Sequence, residues 1–196
     1  MDFQHRLLRS AGSMMIEKVL QDLPKDPART LRGLADFVGC MTKSPEQKGF
    51  VPIFQNALSK PSSPYIPWMV WLTQQVEHSC LCSLAVNLGC TSFTWGLNTL
   101  RRQQQALHQH LPWLAVLDGL PSRTQSLLEE GASLGLYTVV LLHTPLRDAI
   151  DLAQALPCHT FFWTGPQGEI QLGCQTILEK TPNLILALSS EEKESS

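Results

Sequence analysis

Leu111-Pro112-Trp113-Leu114-Ala115-Val116-Leu117-Asp118-Gly119 is where the texture of this chain changes. Residues 113–117 are a short apolar run, closed by proline on one side and by aspartate and glycine on the other, which is how a buried strand reads. Similar runs recur at residues 137–142, 159–163 and 183–188. Between them the spacing predicts a helix over 123–134, with Leu127 and Leu128 inward and Gly135 as its stop, another over 146–156, and a weaker one over 174–180. Gly165-Pro166-Gln167-Gly168 reads as a turn. Short apolar runs that alternate with helices signal parallel strands joined by crossovers. Residues 137–142 are apolar almost throughout, as a strand buried on both faces should be.

Upstream, over residues 1–110, apolar residues recur at helical spacing. Phe3, Leu7, Leu8, Met14, Met15, Val19 and Leu20 form one stripe, and Leu31, Leu34 and Val38 form a second, entered through Asp26-Pro27. Ser44-Pro45-Glu46-Gln47 has the pattern of a capping box. Three prolines within Lys60-Pro61-Ser62-Ser63-Pro64-Tyr65-Ile66-Pro67 mark a break, after which a long helix is expected over 68–88. A polar helix over 98–110, bearing Arg101 and Arg102, reads as a solvated connector. The fold class is therefore α/β: a helical extension over 1–110, a parallel βα part over 111–190, and a polar tail over 191–196 expected to be disordered.

Composition narrows the function classes. With 15 basic against 17 acidic residues the chain carries no strong field, so nucleic acid is not an expected partner. Charged residues are only 16% of the chain, which leaves more neutral surface than usual and favours a protein partner. The most apolar stretch, 79–97, is interrupted by Ser79, Ser83, Asn87, Thr91, Ser92 and Thr94, and reads as a buried helix in place of a membrane span. The amino terminus shows no export signal, so the six cysteines are expected to be reduced thiols of a cytoplasmic protein. The five tryptophans are widely spaced and read as core packing.

In order along the chain, Met1-Asp2-Phe3, Leu7-Leu8-Arg9-Ser10, Lys25-Asp26-Pro27, residues 111–118 and Leu134-Gly135-Leu136-Tyr137 resemble a group of anaerobe-type radical S-adenosylmethionine (SAM) proteins with a helical extension before the barrel. The resemblance implies the first half of a radical SAM barrel over the carboxy-terminal part. It also implies a four-iron cluster held by Cys-x3-Cys-x2-Cys after the first strand, and SAM beside it. Here that loop reads Gly119-Leu120-Pro121-Ser122-Arg123-Thr124, without cysteine. After the second strand, where the family has a Gly-Gly-Glu-Pro type segment for the amino group of SAM, this chain has His143-Thr144-Pro145-Leu146. Four strands stand where the family barrel has about six, which leaves two edges free to pair. The expectation is a non-catalytic, radical SAM-like binding or accessory protein with neither cluster nor SAM, joined to a protein partner or a second copy through a sheet edge. The alternative is a small-ligand protein, SAM- or nucleotide-like in its ligand.

The candidate site for that alternative is the carboxyl edge of the strands, where Asp118, His143, Thr144 and Thr164 would gather. His78, Cys80, Cys82 and Cys90 are weak metal candidates, because on a helix His78 and Cys82 share a face while Cys80 points elsewhere. Cys158-His159 is not expected to form a thiol and base pair, since neighbours in a strand point to opposite faces.

Overall fold

The computed structural model describes residues 2–42, 45–60, 62–170 and 180–189, and divides the chain into two compact units, Met1–Val86 and Asn87–Ser196. The sequence placed the boundary near residue 110. Residues from Asn87 onward instead belong with the sheet, because their side chains and backbone are used there, as described below.

The first unit is helical: α1 (Phe3–Asp22), α2 (Pro27–Met41), α3 (Pro45–Ser59), α4 (Tyr65–Gln75) and α5 (His78–Ala85). Asp26 accepts the Arg29 N–H at 3.2 Å and Pro27 opens the first turn of α2, as the sequence predicts. Leu23, Leu31, Ala35, Leu58 and Ile66 form the core of this unit. In α1 the expected stripe is buried only in part, at Val19 and Leu20, with Leu8 and Met15 half-buried. Phe3, Leu7 and Met14 are exposed, whereas His5, Gly12, Val19 and Leu20 are buried. The capping box involves Ser44, which lies outside the described residues, as do the 174–179 part of the weak helix and the tail.

The expected helix over 68–88 is two helices. Val76 and Glu77 are extended (ψ 137° and 136°), and the Glu77 carboxylate collects the Ser79 hydroxyl at 2.7 Å beside the new helix start. Tyr65, Trp68 and Trp71 lie three residues apart on α4 and are more than half exposed, so these two tryptophans are not core. Ile66, Met69 and Val70 take the inward side of the same helix.

The second unit begins in a π-helical segment, Val86–Gly96, which continues as α6 (Leu97–Leu107). The Thr94 hydroxyl donates to the Gly89 carbonyl five residues back, at 2.8 Å, in step with the wider π turn. His108 ends α6 in the left-handed region (φ 53°). The helical stretch His78–Leu107 is long and apolar enough to cross a membrane by length and composition, and 39% of its most apolar window is buried.

Beyond it come β1 (Leu114–Asp118), α7 (Thr124–Leu134), β2 (Thr138–Leu142), α8 (Leu146–Ala155), β3 (Thr160–Pro166), a 3₁₀ turn (Gln167–Glu169) and β4 (Leu184–Ser189). All pairings are parallel and the order is β1-β2-β3-β4, so each strand lies beside the next one in the chain. The fold is α/β, as read from the sequence. Because the order never reverses, there is no switch-point crevice, and the carboxyl ends of the strands remain the edge where ligands gather. Gly165 and Pro166 continue β3, paired with Leu188 and Ser189, and the turn starts one residue later than Pro166.

The face under α7 and α8 is the more deeply buried one; on the other face β2 and β3 are buried at Thr138 and Thr160 and less so beyond them, which meets the expectation for β2 only in part. Val139, Leu141, Phe161 and Trp163 are fully buried under α7 and α8, packed on Leu128, Leu146, Ala149, Ile150 and Ala153. Val140, Leu142 and Phe162, the residues between them, are half-buried, and Val116 on the edge strand is 56% exposed. Leu127 is likewise exposed: it sits next to Leu128 in sequence, about 100° around the helix, so α7 turns only one of the two inward.

Candidate functional site

Three of the four residues singled out from the sequence line one cavity at the carboxyl edge of the sheet. It measures about 530 Å³ and is bounded by Leu142, His143, Thr144, Pro145, Thr164, Gly165, Pro166 and Glu169. Asp118, the fourth, reaches it through His143. The chain leaves β2 with His143 in the left-handed region (φ 47°), and the Gly119 N–H at the end of β1 bonds the Leu142 carbonyl at 2.9 Å. That turn sets the imidazole beside the neighbouring strand, with Nδ1 2.7 Å from Asp118 Oδ1. An ionised carboxylate only accepts, so with the carboxylate ionised Nδ1 carries the proton. Both side chains are largely exposed, 84% and 74%, so the pair orients the ring and adds little stability.

The floor is rigid by contrast. The Thr144 hydroxyl donates to the Leu142 carbonyl at 3.1 Å, and its own carbonyl accepts the Trp163 indole N–H at 2.7 Å. Trp163 is fully buried, which anchors the loop after β2 to the core. The Thr164 hydroxyl donates to the Leu141 carbonyl at 3.2 Å. Both threonines have spent their protons on backbone and offer lone pairs to a ligand.

Glu169 was not singled out from the sequence. Its Oε2 accepts the Leu146 N–H at 3.1 Å and so caps α8, whose preceding residue Pro145 has no side chain able to cap. A helix beginning at Thr144-Pro145-Leu146 without a capping residue was the available sign that an acceptor must come from elsewhere in the fold. Gly165 is part of the same wall. A Cβ there would run into the indole ring of Trp163, so glycine lets the β3 backbone lie against that ring.

The donor set at this edge does not fit a four-iron cluster. The loop from Gly119 to the start of α7 holds no thiol, and imidazole, hydroxyls and carboxylates cannot replace three thiolates. Among the described residues no group of three metal-ligating side chains converges. Of the weak metal candidates, Cys82 is buried with its sulfur 3.5 Å from the Ser13 hydroxyl, Cys80 reaches Glu77 Oε2 at 3.8 Å, and Cys90 is buried in the sheet-bearing unit. No serine or cysteine among the described residues bonds His143.

The opposite edge of the sheet is polar and buried. His159 is 3% exposed, with its ring between Tyr137 and Phe161 at centroid distances of 5.3 and 5.9 Å. Burial lowers its pKa to about 4; the Leu128 carbonyl and Glu129 oppose this, yet neither ring nitrogen meets hydrogen-bond geometry with a partner. Asn87 donates to the carbonyls of Pro157 and His159, and Asn183 to those of Ala153, Leu156 and His159.

No family model matches the chain, and no curated protein and no solved structure matches it either.

Proposed function

We propose that this chain is a non-catalytic, radical SAM-like binding protein of the cytoplasm whose strand-end cavity holds a small nucleoside- or SAM-like ligand. The observation that carries the reading is the cavity of about 530 Å³ lined by His143, Thr144, Thr164 and Glu169, within the size range of small-molecule sites. Its polar atoms are mainly acceptors: two threonine oxygens already committed as donors to backbone, and the Glu169 carboxylate. Such a lining favours amino and hydroxyl groups. It disfavours phosphate, because Glu169 occupies the helix start that would otherwise attract an anion. Parallel strands in chain order support the radical SAM-like part of the reading; the thiol-free loop after β1 supports the non-catalytic part.

The test is thermal denaturation with SAM, S-adenosylhomocysteine, 5′-deoxyadenosine and ATP. A ligand present at a hundred times its Kd stabilises the fold by about 2.7 kcal/mol. Tm should rise with one of the first three and not with ATP, and Glu169→Gln should reduce the rise. No shift from any of them at millimolar concentration would sink the ligand reading.

A second reading is favoured by a separate observation. Val116 is 56% exposed on a strand at the edge of the sheet, as expected if that edge receives a protein partner.

A further inference from the structure

All-parallel sheets are almost always covered on both faces. Here α7 and α8 cover one face, while among the described residues the other is covered only toward the amino ends of the strands, where Thr138 and Thr160 are buried. Val139 and Leu141 are fully buried while Val140 and Leu142 between and after them are half-buried; Phe161 and Trp163 are fully buried while Phe162 is not. The open face also runs onto both outer strands, to Val116 on β1 and Ala187 on β4, each exposed. The exposure therefore coincides with the two outer strands, whose outer edges pair with none of the described residues, on a sheet whose strands follow one another in chain order.

We infer that a second copy of this chain covers that face, with β1 of each protomer pairing in parallel with β4 of the other. This names the partner for the sheet-edge reading above and rests on it. Several features select a second copy over an unrelated protein. Among the described residues the outer edges of β1 and β4 are unpaired in each protomer, and the two strands run in the same direction. A twofold rotation about an axis parallel to the strands brings both pairs together at once, so neither edge remains and the assembly closes. Four strands from each copy give eight, the number at which a barrel is just wide enough for inward side chains to fill it. The helices α7 and α8 already lie on the face that would be outermost. The inward residues would be Val116, Val140, Phe162 and Ile185, whose β-branched and aromatic character suits a barrel interior. Both strand-end cavities would open on the same rim. Asp118, at the end of the edge strand, would then have the partner's β4 beside it.

The experiment is size-exclusion chromatography with light scattering on the full chain at micromolar concentration. The expected mass is twice the 21.8 kDa of one chain. Val116→Lys and Ala187→Lys, both at exposed positions on the open face, should each give monomers with an unchanged circular dichroism spectrum. Leu127→Lys, equally exposed but on the outer side of α7, should remain dimeric. A monomeric parent chain would overturn the inference. So would a dimer that survives both open-face substitutions, or a polymer in which β1 and β4 pair without closing. Should either lysine variant unfold, disulfide trapping of Val116→Cys with Ala187→Cys decides: covalent dimers support the pairing, and their absence under oxidant opposes it. The ligand-induced Tm shift is read on monomer or dimer alike, so the ligand reading can fail while the dimer stands.

Discussion

Asn87 and Asn183 donate their side-chain amides to the same carbonyl oxygen, that of His159, each at 3.1 Å. With either amide removed the carbonyl keeps the other, and with both removed it is left buried and bare. Asn87→Ala and Asn183→Ala should each destabilise the fold by about 1–3 kcal/mol, Asn183 more because it also serves Ala153 and Leu156. The double variant should cost more than the two singles together, by about 1 kcal/mol. Urea denaturation of the four proteins measures this; simple additivity would show that the shared acceptor is of no consequence.

His159 makes stability depend on pH. Its folded-state pKa of about 4 lies below the 6.5 of the unfolded chain, so between these values the unfolded state binds the proton. The contribution is fully present above pH 6.5 and is lost as pH falls toward 4. It amounts to about 3 kcal/mol at one unit per 1.36 kcal/mol. His159→Phe should flatten that part of the stability profile. Some slope should persist, because His5 in the first unit is also lowered to about 4, chiefly by burial and by Arg9.

Gly165→Ala should displace the Trp163 indole, since the added methyl meets a rigid, fully buried ring. Overpacking of this kind costs about 1–3 kcal/mol. The indole N–H resonance of Trp163 should move as its 2.7 Å bond to Thr144 lengthens. Trp163→Phe, which abolishes the bond without the clash, separates the two effects.

Gly135 ends α7 at φ 105°, and a Cβ there would strike the Gly96 carbonyl oxygen and lie 2.8 Å from the Leu100 nitrogen. Gly135→Ala should lower Tm through both strain and collision, by more than the ~1–2 kcal/mol of a left-handed residue alone. Gly135→Asn is the discriminating variant. Asparagine tolerates that backbone region, so a rescue would mean the close approach to Gly96 is unimportant.

Asp118→Ala should leave stability within about 0.5 kcal/mol of the parent, since an exposed pair contributes little. If the strand-end cavity binds a ligand through His143, the same substitution should weaken binding, seen as a smaller ligand-induced Tm rise. A large loss of stability without ligand would contradict the exposed geometry.

The four strands were legible to within about two residues at nearly every boundary, because each is an apolar run bounded by turn residues, and such runs carry their own punctuation. Asp118, His143, Thr144 and Thr164 could be placed at one edge by topology alone, since parallel strands bring all their carboxyl ends together. What could not be read was anything decided by a distant partner. Glu169 caps α8 from another part of the fold. Which of Leu127 and Leu128 faces inward, and why Phe3 and Leu7 do not, depends on what the helix packs against, which apolar spacing does not specify. The break at Val76–Glu77 lies between two good helical patterns and has no glycine or proline to announce it.

Strand order has one more consequence, for how the sheet is made. Neighbours in the sheet are neighbours in the chain, so each pairing closes only the segment between two successive strands, and the entropy of that closure is small and nearly the same at every step. Assembly can begin at β1 and β2 and add one strand at a time during synthesis, with no early strand waiting for a remote partner. In such an order the last strand is fastened by Asn183, whose amide meets the carbonyls of Ala153, Leu156 and His159.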